Sequence, residues 1–367
     1  MGFDQKHYVP ILKAKAGELR ALREVHQTVR NAITPLLEIM DVPPRWLDGE
    51  DEPVPSKSME QHIAATADAL VKNWGTKRPL FVDGLYVEGA DTLDDGREPF
   101  RALLDHLRDA NMKSIPVTGM DRYAEYDEAI KGAVGSDGRG LCLRLEEEDF
   151  DSDDLEAELN GALDYFGIGL SKVDLVVDYA ATILPRSTLV AVVNSIPQLK
   201  KWRSFTLSAC SFPKDMRDIS TNSIEELARE EWLNWTHLRA RRDKVERMPT
   251  YSDYAINHPQ LLEIDPREMR MSGNIRYTWT TQYVVARGEA FPRKKDKTKR
   301  DPPRVQYPRL AKEITEHKAW MGPKFSWGDA YIQECANGKC VGGGREWRAV
   351  GTSHHLASVV QQIANLP

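Results

Sequence analysis

Residues 140–179 read GLCLRLEEEDFDSDDLEAELNGALDYFGIGLSKVDLVVDY. A short β-rich run, GLCLRL at 140–145, gives way to an acidic stretch with helical periodicity at 152–166, and then to a second β-rich run, VDLVVDY at 173–179. Ser152 is placed to cap the helix, with acidic side chains in its first turn where the helix dipole favours them. Two such runs joined by a helix make the βαβ unit of a parallel sheet.

The alternation continues in both directions. Upstream lie YVPIL at 8–12, ITPLLEI at 33–39, PLFVD at 79–83 and SIPVT at 114–118; downstream lie RSFTLSA at 203–209 and the weaker PTYSDYAI at 249–256. Helical stretches separate them at 17–30, 58–74, 98–110, 122–134 and 185–196, with a longer charged one at 223–247 that Ser223 would cap. Eight β/α repeats over about 250 residues predict an α/β fold, a (β/α)8 TIM-like barrel. A doubly wound open sheet would use fewer strands, and no GxGxxG follows an early strand to support it.

The barrel is assigned to residues 1–265 and a C-terminal α+β extension to 266–367. In the extension, 274–287 alternate as a strand or hairpin arm, and a mobile basic loop follows at about 292–305. Helices are expected at 307–320, from the SWGD motif through 336, and at 353–364. The piece from 307 onward is too short to supply a core alone, so it should pack back on the barrel. One of its helices would fill the outer position after the eighth strand, bringing Trp347, Arg348, His354 and His355 to the rim.

Acidic residues outnumber basic ones 56 to 50, for a formal charge of −6, with 41% hydrophobic and 29% charged residues. That balance argues against global disorder and against a strongly cationic polyphosphate binder, so any nucleic-acid contact must be local. No apolar run is long enough to span a membrane and no signal-like stretch opens the chain, which sets a cytoplasmic expectation without membrane contact. Four cysteines without CxxC spacing do not form a disulfide framework.

The stretches HYVPILKAKAGELRAL at 7–22, TPLLEI at 34–39, FSWGDAYI at 325–332 and WRAVGTSHHLASVVQQI at 347–363 resemble the beta protein family of bacteriophages and bacteria, along nearly the whole chain. The resemblance implies a phage- or prophage-linked protein in phage–host conflict. It brings no activity, cofactor or residue roles with it.

In a β/α barrel the site lies at the C-terminal mouth, so the polar residues ending each strand are the candidates. These are Lys13 and Lys15, Glu38, Asp83, Arg144 and Glu146, Asp178, Ser208 and Cys210, and Asp253. Glu38, Asp83, Asp178 and Asp253 are the candidate ligands of a divalent metal such as magnesium. Lys13 and Arg144 are the phosphate clamps and catalytic cations, with Lys15 and Arg348 in substrate binding. His354 and His355, in the first turn of a helix capped by Thr352 or Ser353, are the acid–base pair. Clustered carboxylates should repel one another, so Asp83→Ala and Asp178→Ala should cost little stability.

Each candidate has a plainer reading, in which the strand-end charges simply pair, one histidine packs inward, and Asp329 only caps a helix. Cys142 and Cys210 read as core residues and Ser208 as rim packing. Cys335 and Cys340 with a histidine make a weak zinc set. The basic run 293–300, including Lys294 and Lys295, could track a phosphate backbone, as could the arginines of 239–242 with Trp232, Trp235 and His237 nearby. Two functions follow. One is a metal-assisted phosphoester hydrolase acting on a phosphorylated or nucleic-acid substrate. The other is a noncatalytic recognition or scaffold protein for a phage, host or nucleic-acid partner.

Overall fold

The computed structural model describes residues 2–47, 52–90, 92–261, 272–290, 306–339 and 342–366. Eight parallel strands close a barrel: β1 (Tyr8–Lys13), β2 (Leu36–Glu38), β5 (Pro79–Asp83), β6 (Lys113–Thr118), β7 (Leu141–Glu146), β8 (Val173–Asp178), β9 (Ser204–Ser208) and β11 (Thr250–Asp253), with β11 returning to pair with β1. A two-residue ribbon, β3 (Pro44–Arg45) and β4 (Val54–Pro55), decorates the loop after β2. All eight barrel strands coincide with the alternating runs of the sequence.

The outer layer contains α1 (Ala16–Glu24), α2 (Gln27–Asn31), α3 (Met59–Trp74), α4 (Pro99–Asp109), α5 (Ala124–Asp137), α6 (Leu155–Phe166), α7 (Leu189–Asn194) and α8 (Glu230–Arg239). Local chemistry sets their ends. Glu98 accepts hydrogen bonds from the Phe100 and Arg101 amides ahead of α4, while Pro99 supplies a ready-made first turn. Ser58 caps α3. Asp154, and not Ser152, caps α6, because the chain first makes a 3-10 turn at Glu147–Asp151. The stretch at 17–30 divides into α1 and α2, since His26 takes an extended conformation and its ring accepts from the Thr28 amide.

A second sheet, in the order β10 (Ser223–Ala228), β13 (Gln282–Ala290), β12 (Ser272–Trp279), is antiparallel. Ser223 therefore begins a strand and not the helix expected there. Helices α9 (Gln306–Glu316), α10 (Trp327–Ala336) and α11 (Gly344–Asn365) pack on this sheet around Ile275, Tyr277, Val284, Leu310, Ile332 and Val350.

The longest helix, α11, carries Leu356, Val359 and Ile363 in the same core as Tyr8 and Leu12 of β1, and so covers the wall where β11 meets β1. Gly351 permits this approach, because a Cβ there would lie 2.8 Å from the Arg276 carbonyl oxygen and 2.6 Å from Ile256. Inside the barrel a separate apolar layer, with Val9, Ile11, Leu36, Phe81, Val117, Cys142 and Val176, forms the floor beneath the mouth. No helix among the described residues is long and apolar enough to cross a membrane.

Candidate functional site at the barrel mouth

Side chains alternate inward and outward along a strand, so each strand places one parity of residues in the barrel. Above the apolar floor, Lys13, Glu38 and Asp83 are in register on β1, β2 and β5, while Glu146, Asp178, Ser208 and Ser252 form the opposing row on β7, β8, β9 and β11. Arg144, one inward position below Glu146, fills the centre.

Its guanidinium is 3% exposed and donates from Nε and Nη2 to Asp178 at 3.0 and 2.7 Å, from Nη1 to Asp83 at 2.8 Å, and from both terminal nitrogens to Glu38 at 3.1 Å. Nη2 also donates to the Tyr254 hydroxyl, which in turn donates to Asp178 at 2.5 Å. Arg122 enters from the loop before α5, paired with Asp83 and Glu88. Lys13 lies 3.4 Å from Glu38 and donates to the backbone carbonyls of His258 and Pro259.

Some polar atoms of this interior lack hydrogen bonds. The hydroxyls of Thr206, Ser208 and Ser252 are buried and make no hydrogen bond, and Glu38 Oε2 makes none either, its one ion pair being with the Lys13 ammonium at 3.4 Å. At the rim, partial burial pushes the Glu146 carboxyl above its usual range against the opposing charge of Arg144. Ala180 and Ala255 adopt left-handed conformations, with φ of 46° and 54°, each two residues after a strand-end aspartate whose Oδ1 accepts its amide at 2.9 Å. Such backbone costs on the order of 1 kcal/mol or more for a residue with a Cβ, and such strain concentrates where a site is held in a set geometry.

The expected magnesium site is corrected by this geometry. Glu38, Asp83 and Asp178 do converge, but on a guanidinium that already occupies the point a cation would need. Among the described residues no group of three or more His, Cys, Asp or Glu is arranged to hold a metal. Cys335 is buried, and Cys340, the other half of the weak zinc set, lies outside the described residues.

Asp253 does not join the mouth at all. It faces outward with Tyr251, because Tyr254 takes the inward position. Asp253 accepts from Tyr8 at 2.5 Å, Tyr251 at 2.7 Å and His355 Nε2 at 3.0 Å. Burial would raise its carboxyl, but His355, these hydrogen bonds and Arg229 outweigh that and hold it at about 2.

His354 and His355 are corrected with it. Helix α11 begins at Gly344, so both imidazoles lie mid-helix and fully buried, away from any free amides of a first turn. His354 bridges Asp329, at 2.9 Å, and the Thr278 carbonyl oxygen, at 2.8 Å, and stacks on Tyr277. The pair welds α11 to β11, β12 and α10 and is out of reach of the mouth. Asp329 is both a helix-start carboxylate, with Ser326 capping α10, and the partner of His354.

Lys15 caps α1 by its backbone geometry, just beyond the β1 edge of the mouth, and Arg348 packs against Gly17 on the same helix. Lys294 and Lys295, with the rest of the basic run, lie outside the described residues. Trp232 and Trp235 are buried against Tyr251 and cannot stack on bases. Cys142 and Cys210 are core residues as expected. Tyr254, Arg122 and Arg276 were missed. The inward parity of β11 would have found Tyr254, whereas Arg122 and Arg276 arrive from elements whose approach no local pattern encodes.

The profile described as Beta protein matches residues 8–361 of the chain. No match was found among curated proteins. Among solved structures, a GH138 enzyme targeting pectin rhamnogalacturonan II is similar with a TM-score of 0.37 and 10% sequence identity, over 70% of this chain and 43% of that one. The chain thus spans less than half the length of that enzyme.

Proposed function

The chain belongs to the Beta protein family, and, since that membership assigns no residue roles, we propose from the mouth geometry that it is an acid–base enzyme for a small polar substrate. The observation that carries this reading is the pair of buried hydroxyls without a hydrogen bond at the mouth, Ser208 and Ser252, together with Glu38 Oε2, which makes no hydrogen bond and has only the Lys13 ammonium, at 3.4 Å, beside it. Leaving such groups unpaired costs about 1–3 kcal/mol each, which hydroxyls of a bound ligand would recover.

Five carboxylates (Glu38, Asp83, Glu88, Glu146, Asp178) face three cations (Lys13, Arg122, Arg144) here. That excess favours a neutral hydroxyl-bearing group at the centre over a phosphate. Glu146, solvent-reachable with a raised pKa, is the proton donor. Glu38 orients the substrate hydroxyl, and Arg144 fixes the carboxylates. The surface leading in, residues 146–158, holds nine acidic residues and no Lys or Arg, which opposes a nucleic-acid substrate.

The test is a thermal-shift screen of the purified chain against polyols, sugars and amines, repeated on Glu146→Gln and Glu38→Gln. A ligand that raises the parent's Tm, binds Glu146→Gln and is turned over only by the parent supports the enzyme. A scaffold is the second reading, favoured by the fully spent guanidinium of Arg144; it gains if no ligand shifts the parent and Glu38→Gln raises Tm by itself. A part in phage–host conflict belongs to the same proposal. Phage plating on bacteria expressing the parent or Glu146→Gln tests it, with equal plating on both and on an empty control counting against it.

A further inference from the structure

A cleft of about 660 Å³ opens between α5 and α6, which is the size of a small-molecule site. Short side chains make the space: Gly119 after β6, Ala124 at the start of α5 and Ala162 on α6. Met120 and the rings of Tyr165 and Phe166 supply an apolar wall, and the carboxylates of Asp127 and Glu158 border it. Arg122 also borders the cleft, held by Glu88 at 2.7 Å and by Asp83 of the mouth at 3.3 Å, so cleft and mouth share one side chain.

Two observations select the ligand, and the first is aromatic exposure. Among the described residues four large apolar side chains are exposed, Leu47, Tyr123, Tyr165 and Met321, and both rings belong to this cleft: Tyr165 lines it, and Tyr123, 63% exposed, stands between the lining residues Arg122 and Ala124. Aromatic faces left in water beside a cavity suit a ligand that covers them with aliphatic or cationic groups. The Tyr165 ring already carries an ammonium, that of Lys131 at 4.2 Å, while its hydroxyl donates to Glu128 at 2.6 Å.

The second is charge. Residues 121–166 hold fifteen acidic and four basic side chains. All four cations are engaged: Arg122 with Glu88 and Asp83, Lys131 on Tyr165, Arg139 with Asp137 at 3.2 Å, and Arg144 in the mouth. Asp127 Oδ1 accepts from the Thr118 hydroxyl at 2.8 Å, yet among the described residues neither Asp127 nor Glu158 has an ion pair.

We propose that this cleft binds an aliphatic polyamine, with ammonium groups at Asp127 and Glu158 and its methylene chain across Met120, Ala162 and the Tyr165 ring. Carboxylates set beside an apolar wall match the alternation of ammonium and methylene groups in such a chain. An anion meets the wrong sign here, and a bare metal ion would leave the aromatic wall uncovered. The inference goes beyond the reading of the mouth, because the cleft lies in the outer helical layer and its occupancy needs no reaction.

The test is calorimetric titration of the full chain with spermidine at constant ionic strength, with hexanediol and magnesium chloride as comparison arms. Saturable spermidine binding is expected, at least about tenfold weaker in the double variant Asp127→Asn with Glu158→Gln, where Asn keeps the acceptor for Thr118. Asp153→Asn with Glu156→Gln removes the same charge from exposed positions of the acidic stretch outside the cleft lining, and should bind within about twofold of the parent. Ala162→Trp fills the cleft without changing charge, and should abolish binding while the melt stays cooperative. Absence of saturable binding overturns the site, as does equal weakening by the two double variants or full-strength binding by Ala162→Trp. Hexanediol or magnesium binding as tightly as spermidine overturns the polyamine assignment. Should the cleft double variant fold poorly, Ala162→Trp decides alone. The titration reads no turnover, so a failure here leaves the acid–base reading of the mouth standing.

Discussion

Replacing Arg144 by Met removes six hydrogen bonds from one buried point and leaves Glu38, Asp83 and Asp178 facing one another with only Lys13 and Arg122 nearby. Removing one partner of a buried ion pair costs about 3–5 kcal/mol, because the remaining charge stays desolvated. The same change at an exposed pair would cost under about 1 kcal/mol, so burial decides the magnitude. With about 2–4 °C per kcal/mol in domains of 150–250 residues, and less in a larger chain, Tm should fall by about 5–15 °C. Arg144→Lys should fall between, since a point charge cannot replace a fork that binds three carboxylates.

The assay is urea denaturation with calorimetry on Arg144→Met, on Asp83→Asn with Asp178→Asn, and on the triple variant. Neutralising the two aspartates in the Arg144→Met background should recover at least half of the loss. A loss below about 1 kcal/mol for Arg144→Met, or stabilisation by either single aspartate change, would refute the reasoning. The second outcome would restore the picture of repelling carboxylates that the sequence suggested.

Three other outcomes are expected. Burial holds the His7 imidazole near a pKa of about 4, against about 6.5 unfolded, so the folded state binds fewer protons between those values. Stability should therefore be full above pH 6.5 and decline by on the order of 2–3 kcal/mol as pH falls towards 4, and His7→Gln, measured by urea melts across this range, should flatten the slope. Gly351→Ala sets a helix-propensity gain of about 1 kcal/mol against a Cβ 2.8 Å from a backbone oxygen, and should be destabilising by about 1–3 kcal/mol in chemical melts. Truncation after Arg304 removes α11 and bares Tyr8, Leu12 and Asp253, so the product should bind a hydrophobic dye and lack a cooperative melt, whereas a soluble, cooperative product would make the segment an independent appendage.

The barrel was legible because its strands are continuous β-rich runs spaced by helices, a pattern written locally in the chain. The strand-end charges Lys13, Glu38, Asp83, Arg144 and Asp178 were legible for the same reason. What they do with one another was not, since reading Arg144 as a clamp and the carboxylates as metal ligands required knowing that all point at the same place. A shift of one position separates inward Tyr254 from outward Asp253, and PTYSDYAI is too weakly alternating to fix that parity. Ser223 resembled a helix cap because NSIEELA has the right local chemistry, but pairing of β10 with β13, some 60 residues on, overrides it. Likewise Thr352 and Ser353 resembled a helix start, although the helix had already begun in the Gly-rich turn.

The wall between β1 and β11 joins the two ends of the chain. Tyr8 and Asp253, in direct contact, are 245 residues apart, and His355 reaches Asp253 across a further 102. At about 5–20 residues per second, synthesis of the 367 residues takes roughly 20–70 s. Until β11 is made, about two thirds of the way along the chain, β1 has only β2 beside it, and its covering helix comes later still. The nascent chain thus presents β1 with one edge unpaired until β11 is made and with its outer face uncovered until α11 follows, so the barrel closes late in synthesis.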